Sequence, residues 1–323
     1  MKFLRPYALP LFSVLLFLPG LQSCRKYSPV FLDSSWMDEI HDSTLVCRMA
    51  IPGAHDAATG TLETAVIRNY AKTQALSVGE LWDAGVRAFD LRPALVDGQL
   101  GIFHDKYYAG TTLQDALQTI VEKLEKQASD FAIVLIRHES EADDDNPLWG
   151  DAMSSLLSSL PYDKVVPEFH PDLRLGDVRG RILVLSRQKY GEEPIGGYIS
   201  GWYSGTALAR QQSARIGASP LWVQDFYNPG SADEKWDCFQ RLGETFSTNA
   251  DRTWCINHCS GYLSKAFGLP SYASCAATVN KLASENRKLL HGIIMMDFAG
   301  TDTYGADSVY GASAVSAVIS ANF

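Results

Sequence analysis

Apolar and polar positions fall into blocks of two lengths along this chain. Short, mostly apolar runs cover residues 45–51, 86–91, 100–104, 131–136, 181–186, 221–224 and 293–296. Runs of this length, rich in Val, Ile, Leu and Phe, predict strands. Those at 131–136 and 181–186 are continuous enough to be buried on both faces of a parallel sheet. Longer stretches between them carry the helical period. In 111–128 the residues Leu113, Leu117, Ile120, Val121 and Leu124 recur at three- and four-residue spacing, with Thr112 placed to cap. Helices are also predicted over 77–84, with Ser77 as its cap, and over 148–160, 231–242 and 272–290.

Strands and helices thus alternate, which argues for a parallel sheet with helical crossovers. Seven strands are one short of eight, and no Gly-rich phosphate loop follows any of them. The expected fold class is α/β, a single distorted (β/α)8 TIM-like barrel rather than an open doubly wound sheet.

The first residues do not belong to that pattern. Lys2 and Arg5 precede an apolar stretch from Tyr7 to Leu21 that is broken by Pro10 and Pro19. This reads as a secretory leader and not as a membrane span. It ends in Leu21-Gln-Ser-Cys24, which resembles a bacterial lipobox and implies cleavage before Cys24 and lipidation of its thiol. The expected organisation is a lipoprotein signal peptide at 1–23, a short tether at 24–35 and one catalytic barrel at 36–323. An exported, lipid-anchored protein of the bacterial envelope or cell surface follows.

Composition narrows the partners. The net charge of −9 disfavours nucleic acid. Five cysteines follow Cys24, an odd number, so at least one thiol stays free even where disulfides are permitted. Cys255 and Cys259 flank His258, but no second pair has zinc-like spacing. No metal, no cofactor and a monomer are expected.

The candidate chemistry sits where strands end, the face on which barrel enzymes build their sites. Reading those ends in order gives His55 and Asp56, Asp90 and Arg92, His104, Arg137 with His138 and Glu139, Arg187, Asp225 with Tyr227, and Asp297. Pro52-Gly53 is expected to stop the first strand just before His55. Wet loops explain polarity at strand ends, but not this preference for His, Asp and Arg. Two histidines can divide general base and general acid work, an Asp can orient an imidazole, and arginine matches phosphate oxygens. Displacement at phosphorus is the chemistry this set suits. More ordinary readings stand beside it: Asp90–Arg92 as a structural salt bridge, Arg187–Asp225 as a rim ion pair, and Tyr227 as rim packing.

The stretches Ile51-Pro-Gly-Ala-His-Asp56, Gly85-Val-Arg-Ala-Phe-Asp-Leu-Arg92, Phe103-His104, Ile133-Val-Leu-Ile-Arg-His-Glu139, Leu175 to Arg187, Val223-Gln-Asp-Phe-Tyr227 and Met295-Met-Asp297 carry a family likeness. In this order the chain resembles bacterial phosphatidylinositol-specific phospholipase C of the X-domain type. The resemblance implies attack of the inositol 2-hydroxyl on its own 1-phosphate, giving diacylglycerol and a cyclic inositol phosphate at a membrane surface. It implies His55 as general base oriented by Asp297, and His104 as general acid assisted by Asp56. Arg92 would sit on the phosphate with Asp90 in support, and Arg137, Arg187, Asp225 and Tyr227 would bind inositol. Arg92 stands where calcium-dependent relatives carry an acidic residue, which implies catalysis without metal. The chain departs from the pattern at Pro93, where bacterial members have glycine, at Phe103-His104-Asp105, where they have His-His-Gly, and at Arg137, where they have lysine. Two other readings remain open: a metal-dependent glycerophosphodiester phosphodiesterase, and a non-catalytic surface lipoprotein that binds inositol glycans. The lipid the resemblance implies is phosphatidylinositol or one of its glycosylated derivatives.

Overall fold

The structure is a computed structural model that describes residues 35–62, 70–191, 195–208, 210–247, 252–264 and 268–323. The predicted leader, Cys24 and nearly all of the tether lie outside the described residues.

Among the described residues, nine strands close into a barrel. Their order around it is Ala50–Ala54, Gly292–Met296, Trp254–His258, Ser219–Gln224, Arg215–Ile216, Gly197–Ser200, Ile182–Ser186, Ala132–Ile136, Ala88–Leu91, and back to the first. Eight run parallel; the two-residue Arg215–Ile216 is antiparallel to both neighbours and fills the gap between Gly197–Ser200 and Ser219–Gln224. That insert, and the lack of a described helix on either side of Gly197–Ser200, is the distortion of the (β/α)8 pattern.

Side-chain alternation sorts the strand residues into two cores. Ile51, Ile133, Leu135, Leu183, Leu185, Val223, Ile256, Ile293 and Met295 fill the barrel. Ala54, Phe89, Val134, Val184, Ile294 and Met296 alternate with them and pack under the helices. On Leu113–Lys126 the buried stripe is Leu113, Leu117, Ile120, Val121 and Leu124, as the period predicts. Ser77 and Thr112 each cap a helix through a reciprocal box, with Glu80 and Asp115 respectively.

Three expectations are corrected. Residues 46–48 form a short 3-10 turn, so the first strand begins only at Ala50 and runs through Pro52 and Gly53 instead of stopping there. Proline is tolerated because pairing with Ala88–Leu91 starts only at Gly53, so the Pro52 nitrogen has no ladder bond to make. Glycine suits the next position, where a Cβ would stand 2.4 Å from Met295 Sδ and 3.2 Å from Ile294 O. Second, the strand Gln99–His104 is not a barrel stave. It is the middle of a three-stranded antiparallel sheet with Pro93–Val96 and Tyr107–Thr112 that leaves the barrel directly after Arg92. Third, Gly197–Ser200 and Trp254–His258 went unpredicted; four residues with Gly first, and five ending Asn-His, give too little apolar signal.

Below the barrel, Arg87 is wholly buried and donates from Nε to Asp130 Oδ2 at 2.7 Å, with Nη2 2.6 Å from the same oxygen and the guanidinium 3.7 Å over the Trp82 ring. Trp36 Nε1 donates to Gly85 O nearby. The five described cysteines, Cys47, Cys238, Cys255, Cys259 and Cys275, are buried and free.

Candidate active site

His55 is the first residue past its strand, and the chain turns sharply after it because Asp56 adopts a left-handed backbone, φ 44°. Aspartate tolerates that conformation better than most residues. The turn aims both side chains back over the barrel mouth. Gln74 locks it: its carboxamide donates to His55 O at 2.7 Å and Met296 O at 2.8 Å, and it accepts from Ala299 N at 3.0 Å. The ends of the first and last strands are thereby tied, which places His55 beside Asp297. His55 Nδ1 lies 2.8 Å from Asp297 Oδ1, and the second Asp297 oxygen accepts from Gly261 N at 3.0 Å.

Arg92 completes the cluster. Its Nη2 donates to Asp90 Oδ2 at 2.9 Å and reaches His55 Nε2 at 2.7 Å, while Nε lies 2.6 Å from Asp56 Oδ1. The other Asp56 oxygen lies 3.4 Å from His55 Nε2 and 3.4 Å from His104 Nδ1. His104 comes from the end of Gln99–His104, with Nδ1 2.8 Å from Ala71 O. The following residue, Asp105, has φ 55°. A left-handed position is where the family's glycine fits without strain, and aspartate is among the better substitutes.

Burial opposes charging of His55, but the carboxylates of Asp56 and Asp297 outweigh it and the opposing Arg92, raising its pKa to about 9. A charged imidazole has no lone pair for Arg92. The 2.7 Å contact therefore belongs to the neutral ring, with Nδ1–H on Asp297, and gives way on protonation. Asp90 resists burial through Arg92 and His55, which hold its carboxyl well below the usual range. Among the described residues one His/Asp group, His55, Asp56 and Asp90, has metal-like spacing. The Arg92 guanidinium already engages all three.

A pocket of about 180 Å³ opens over this cluster, lined among others by His55, Arg92, His104, Arg137, Asp225 and Tyr227. Arg187 and Asp225 do not pair directly: Trp202 stands between them, its ring 4.4 Å under the Arg187 guanidinium and its Nε1 donating to Asp225 Oδ2 at 2.9 Å. Arg187 Nη2 donates to Ser204 Oγ at 2.9 Å. Arg137 Nε lies 3.9 Å from Glu139 Oε2. Tyr227 is partly exposed on the wall, its ring 6.0 Å from that of Tyr262, which lies 5.8 Å from Tyr272. All ten predicted pocket residues thus gather at one mouth.

Several neighbours were missed from sequence. Glu139 was noted at a strand end but given no place; its Oε1 accepts from Asp105 N at 3.0 Å at the pocket edge. His258, read as structural, lies buried with Nδ1 2.8 Å from Ser260 Oγ and 3.9 Å from Asp225 Oδ1; burial lowers its pKa to about 3, so it stays neutral. Gln74, Trp202, Tyr262 and Tyr272 lie in loops or at a helix start, where no local pattern marks them. His138 faces away, bonded to Asp143 and stacked on Trp149.

No protein-family model matches the chain. It is 27% identical over 280 residues to the 1-phosphatidylinositol phosphodiesterase of Listeria monocytogenes, covering 83% of this chain and 82% of the relative. It is 25% identical over 313 residues to the Staphylococcus aureus (strain Newman) protein of the same name, covering 89% and 94%. Among solved structures, a mutant phosphatidylinositol-specific phospholipase C from S. aureus superposes with TM-score 0.75 at 20% identity over 90% of this chain and 98% of that one. The Listeria monocytogenes phospholipase C gives 0.66 at 22% over 89% and 97%. In sequence and in fold, over most of its length, the chain resembles the bacterial phosphatidylinositol-specific phospholipases C.

Proposed function

We propose that this protein is a metal-independent phosphatidylinositol-specific phospholipase C, a phosphatidylinositol diacylglycerol-lyase. The observation that carries this is one carboxylate shared by two histidines and a guanidinium: Asp56 lies 3.4 Å from His55, 3.4 Å from His104 and 2.6 Å from Arg92. A binding site has no need of two proton-transfer groups around a guanidinium that matches phosphate oxygens.

When phosphate enters, Arg92 exchanges its contact with His55 for the phosphate oxygens, to which a guanidinium offers two parallel donors. His55 Nε2 is then free to take the proton of the inositol 2-hydroxyl, and Asp297 holds Nδ1–H and stabilises the charge that forms. The 2-oxygen bonds to phosphorus while the bond from phosphorus to the glycerol oxygen breaks. His104, with Nδ1 on Ala71 O and Asp56, delivers a proton from Nε2 to that oxygen. The products are diacylglycerol and a 1,2-cyclic inositol phosphate. Arg137, Arg187, Asp225 and Tyr227 surround the space left for the inositol ring. Free phosphatidylinositol and its glycosylated derivatives share that ring.

Arg92 lies among the three groups spaced to hold a cation, which supports charge stabilisation by the protein itself. Phosphorus NMR of phosphatidylinositol turnover should show the cyclic product, at a rate indifferent to a strong chelator. A large loss in chelator that calcium restores overturns the metal-independent reading in favour of a metal-dependent glycerophosphodiesterase. No turnover at all would leave an inositol-glycan-binding lipoprotein. The same reading places the enzyme outside the cell, tethered through Cys24 and acting as a monomer on a lipid surface.

A further inference from the structure

Helix Ala232–Ser247 buries Lys235, Cys238, Phe239, Leu242, Gly243 and Phe246, one stripe at helical spacing, and its first member is a lysine. Lys235 is fully buried. Its Nζ donates to Gln224 Oε1 at 2.9 Å and to Phe226 O at 2.9 Å, and it forms no ion pair of its own among the described residues. A buried ammonium held only by neutral acceptors is costly, and an apolar side chain would fill this stripe without that cost.

The two acceptors bracket Asp225. Gln224 is itself fixed: its Oε1 also accepts from Phe226 N at 2.9 Å, and its Nε2 donates to Asn257 Oδ1 at 2.8 Å and His258 O at 2.9 Å. Asn257 Nδ2 donates in turn to Phe239 O, on the helix that carries Lys235. The network therefore runs from helix to strand end and back, and Asp225, which lies between its two acceptors in sequence, lines the pocket.

We infer that Lys235 is a positioning residue for the inositol subsite, fixing the Gln224 carboxamide before Asp225 and the Phe226 carbonyl after it, and supplying the buried positive charge behind that carboxylate. It does not touch the substrate, and the inference rests on the function proposed above. Its effect should fall on binding of the ring and spare the chemistry at His55, His104 and Arg92, which other strands hold.

The test compares Lys235→Met and Lys235→Gln with the wild type on phosphatidylinositol, alongside inhibition by free myo-inositol and thermal melting. Lys235→Met removes charge and donors; Lys235→Gln keeps a donor without the charge. The expected result is a cooperative melt at or above the wild-type temperature for Met. KM and the myo-inositol inhibition constant should each rise about tenfold, the scale of one charge-assisted hydrogen bond, with kcat within about twofold. Glutamine should fall between the two. Unchanged KM and inhibition in either folded variant overturns the inference, as does a fall in kcat alone. Should Met fail to fold, Gln decides by the same criteria. A wild type that turns over no phosphatidylinositol refutes the proposed function instead, and is seen before any variant is read.

Discussion

At the scale of single residues, the two histidines carry the sharpest expectations. His55→Ala and His104→Ala should each lower turnover of phosphatidylinositol by about 10² to 10⁴, the usual worth of a general acid or base, while staying folded. A variant that keeps more than about a tenth of the rate refutes the role given to that residue. Asp56 adds a test of sign. His55 must be neutral to accept a proton, so activity falls as pH drops through its free-enzyme pKa. The Asp56 and Asp297 carboxylates raise that pKa. Asp56→Asn removes one of them, so the acid limb of kcat/KM in the residual activity should move to lower pH. A limb that stays put, or moves up, assigns the titration to another group.

Helices and strands are where local and tertiary preferences can be set against each other. Gly311 opens the last helix, Gly311–Ser320, and helix propensity alone favours Gly→Ala by about 1 kcal/mol. A Cβ there would lie 1.8 Å from Phe298 O and 2.8 Å from Thr301 O, both backbone atoms. Backbone cannot swing aside as a side chain can, so overpacking at about 1–3 kcal/mol wins. Gly311→Ala should lower the unfolding midpoint in denaturant; an equal or higher midpoint refutes the close packing of the last helix on the 298–301 turn. That turn is worth holding, because it follows Asp297 and carries Phe298 at φ 53°, an uncommon backbone for an aromatic residue. Most of the longer helices were legible in the chain because their period is local; Gly311–Ser320 and the four-residue Leu175–Val178 were not foreseen. Leu113–Lys126, Trp149–Ser159 and Tyr272–Glu285 fall inside the predicted spans, with only their ends moved. The strand 254–258 was not legible, since five residues with Asn and His among them carry no period of their own.

For the molecule as a whole, the residues just after the last described helix reach back to the barrel: Asn322 donates from Nδ2 to Ala50 O and accepts from Ala50 N, both at 2.9 Å, and so latches the first strand. Outside the barrel, the sequence Leu21-Gln-Ser-Cys24 leads to one further outcome. Mass spectrometry of the mature protein should find Cys24 as a lipid-modified N-terminus; an unmodified terminus or cleavage elsewhere refutes anchoring. Among the described residues no helix is long and apolar enough to cross a membrane.

What the amino-acid sequence determined by itself was the alternation of strands and helices, and a titratable or charged residue near the end of nearly every predicted strand. Both are local: a period of two or 3.6 residues needs only its own segment, and a strand end is announced by the polar residue that follows. What only the tertiary structure decided was which of those residues meet. His55 and Asp297 are 242 positions apart, and nothing between them encodes that the first and last strands are neighbours except closure of the sheet. His104 reaches the same mouth from a side sheet and not from a stave, through a detour that begins at Pro93. Lys235 looks like one charge on a solvated helix until the helix is seen to turn that face inward, beneath Asp225. Burial depends on what packs against a segment, and that partner is supplied by distant parts of the chain.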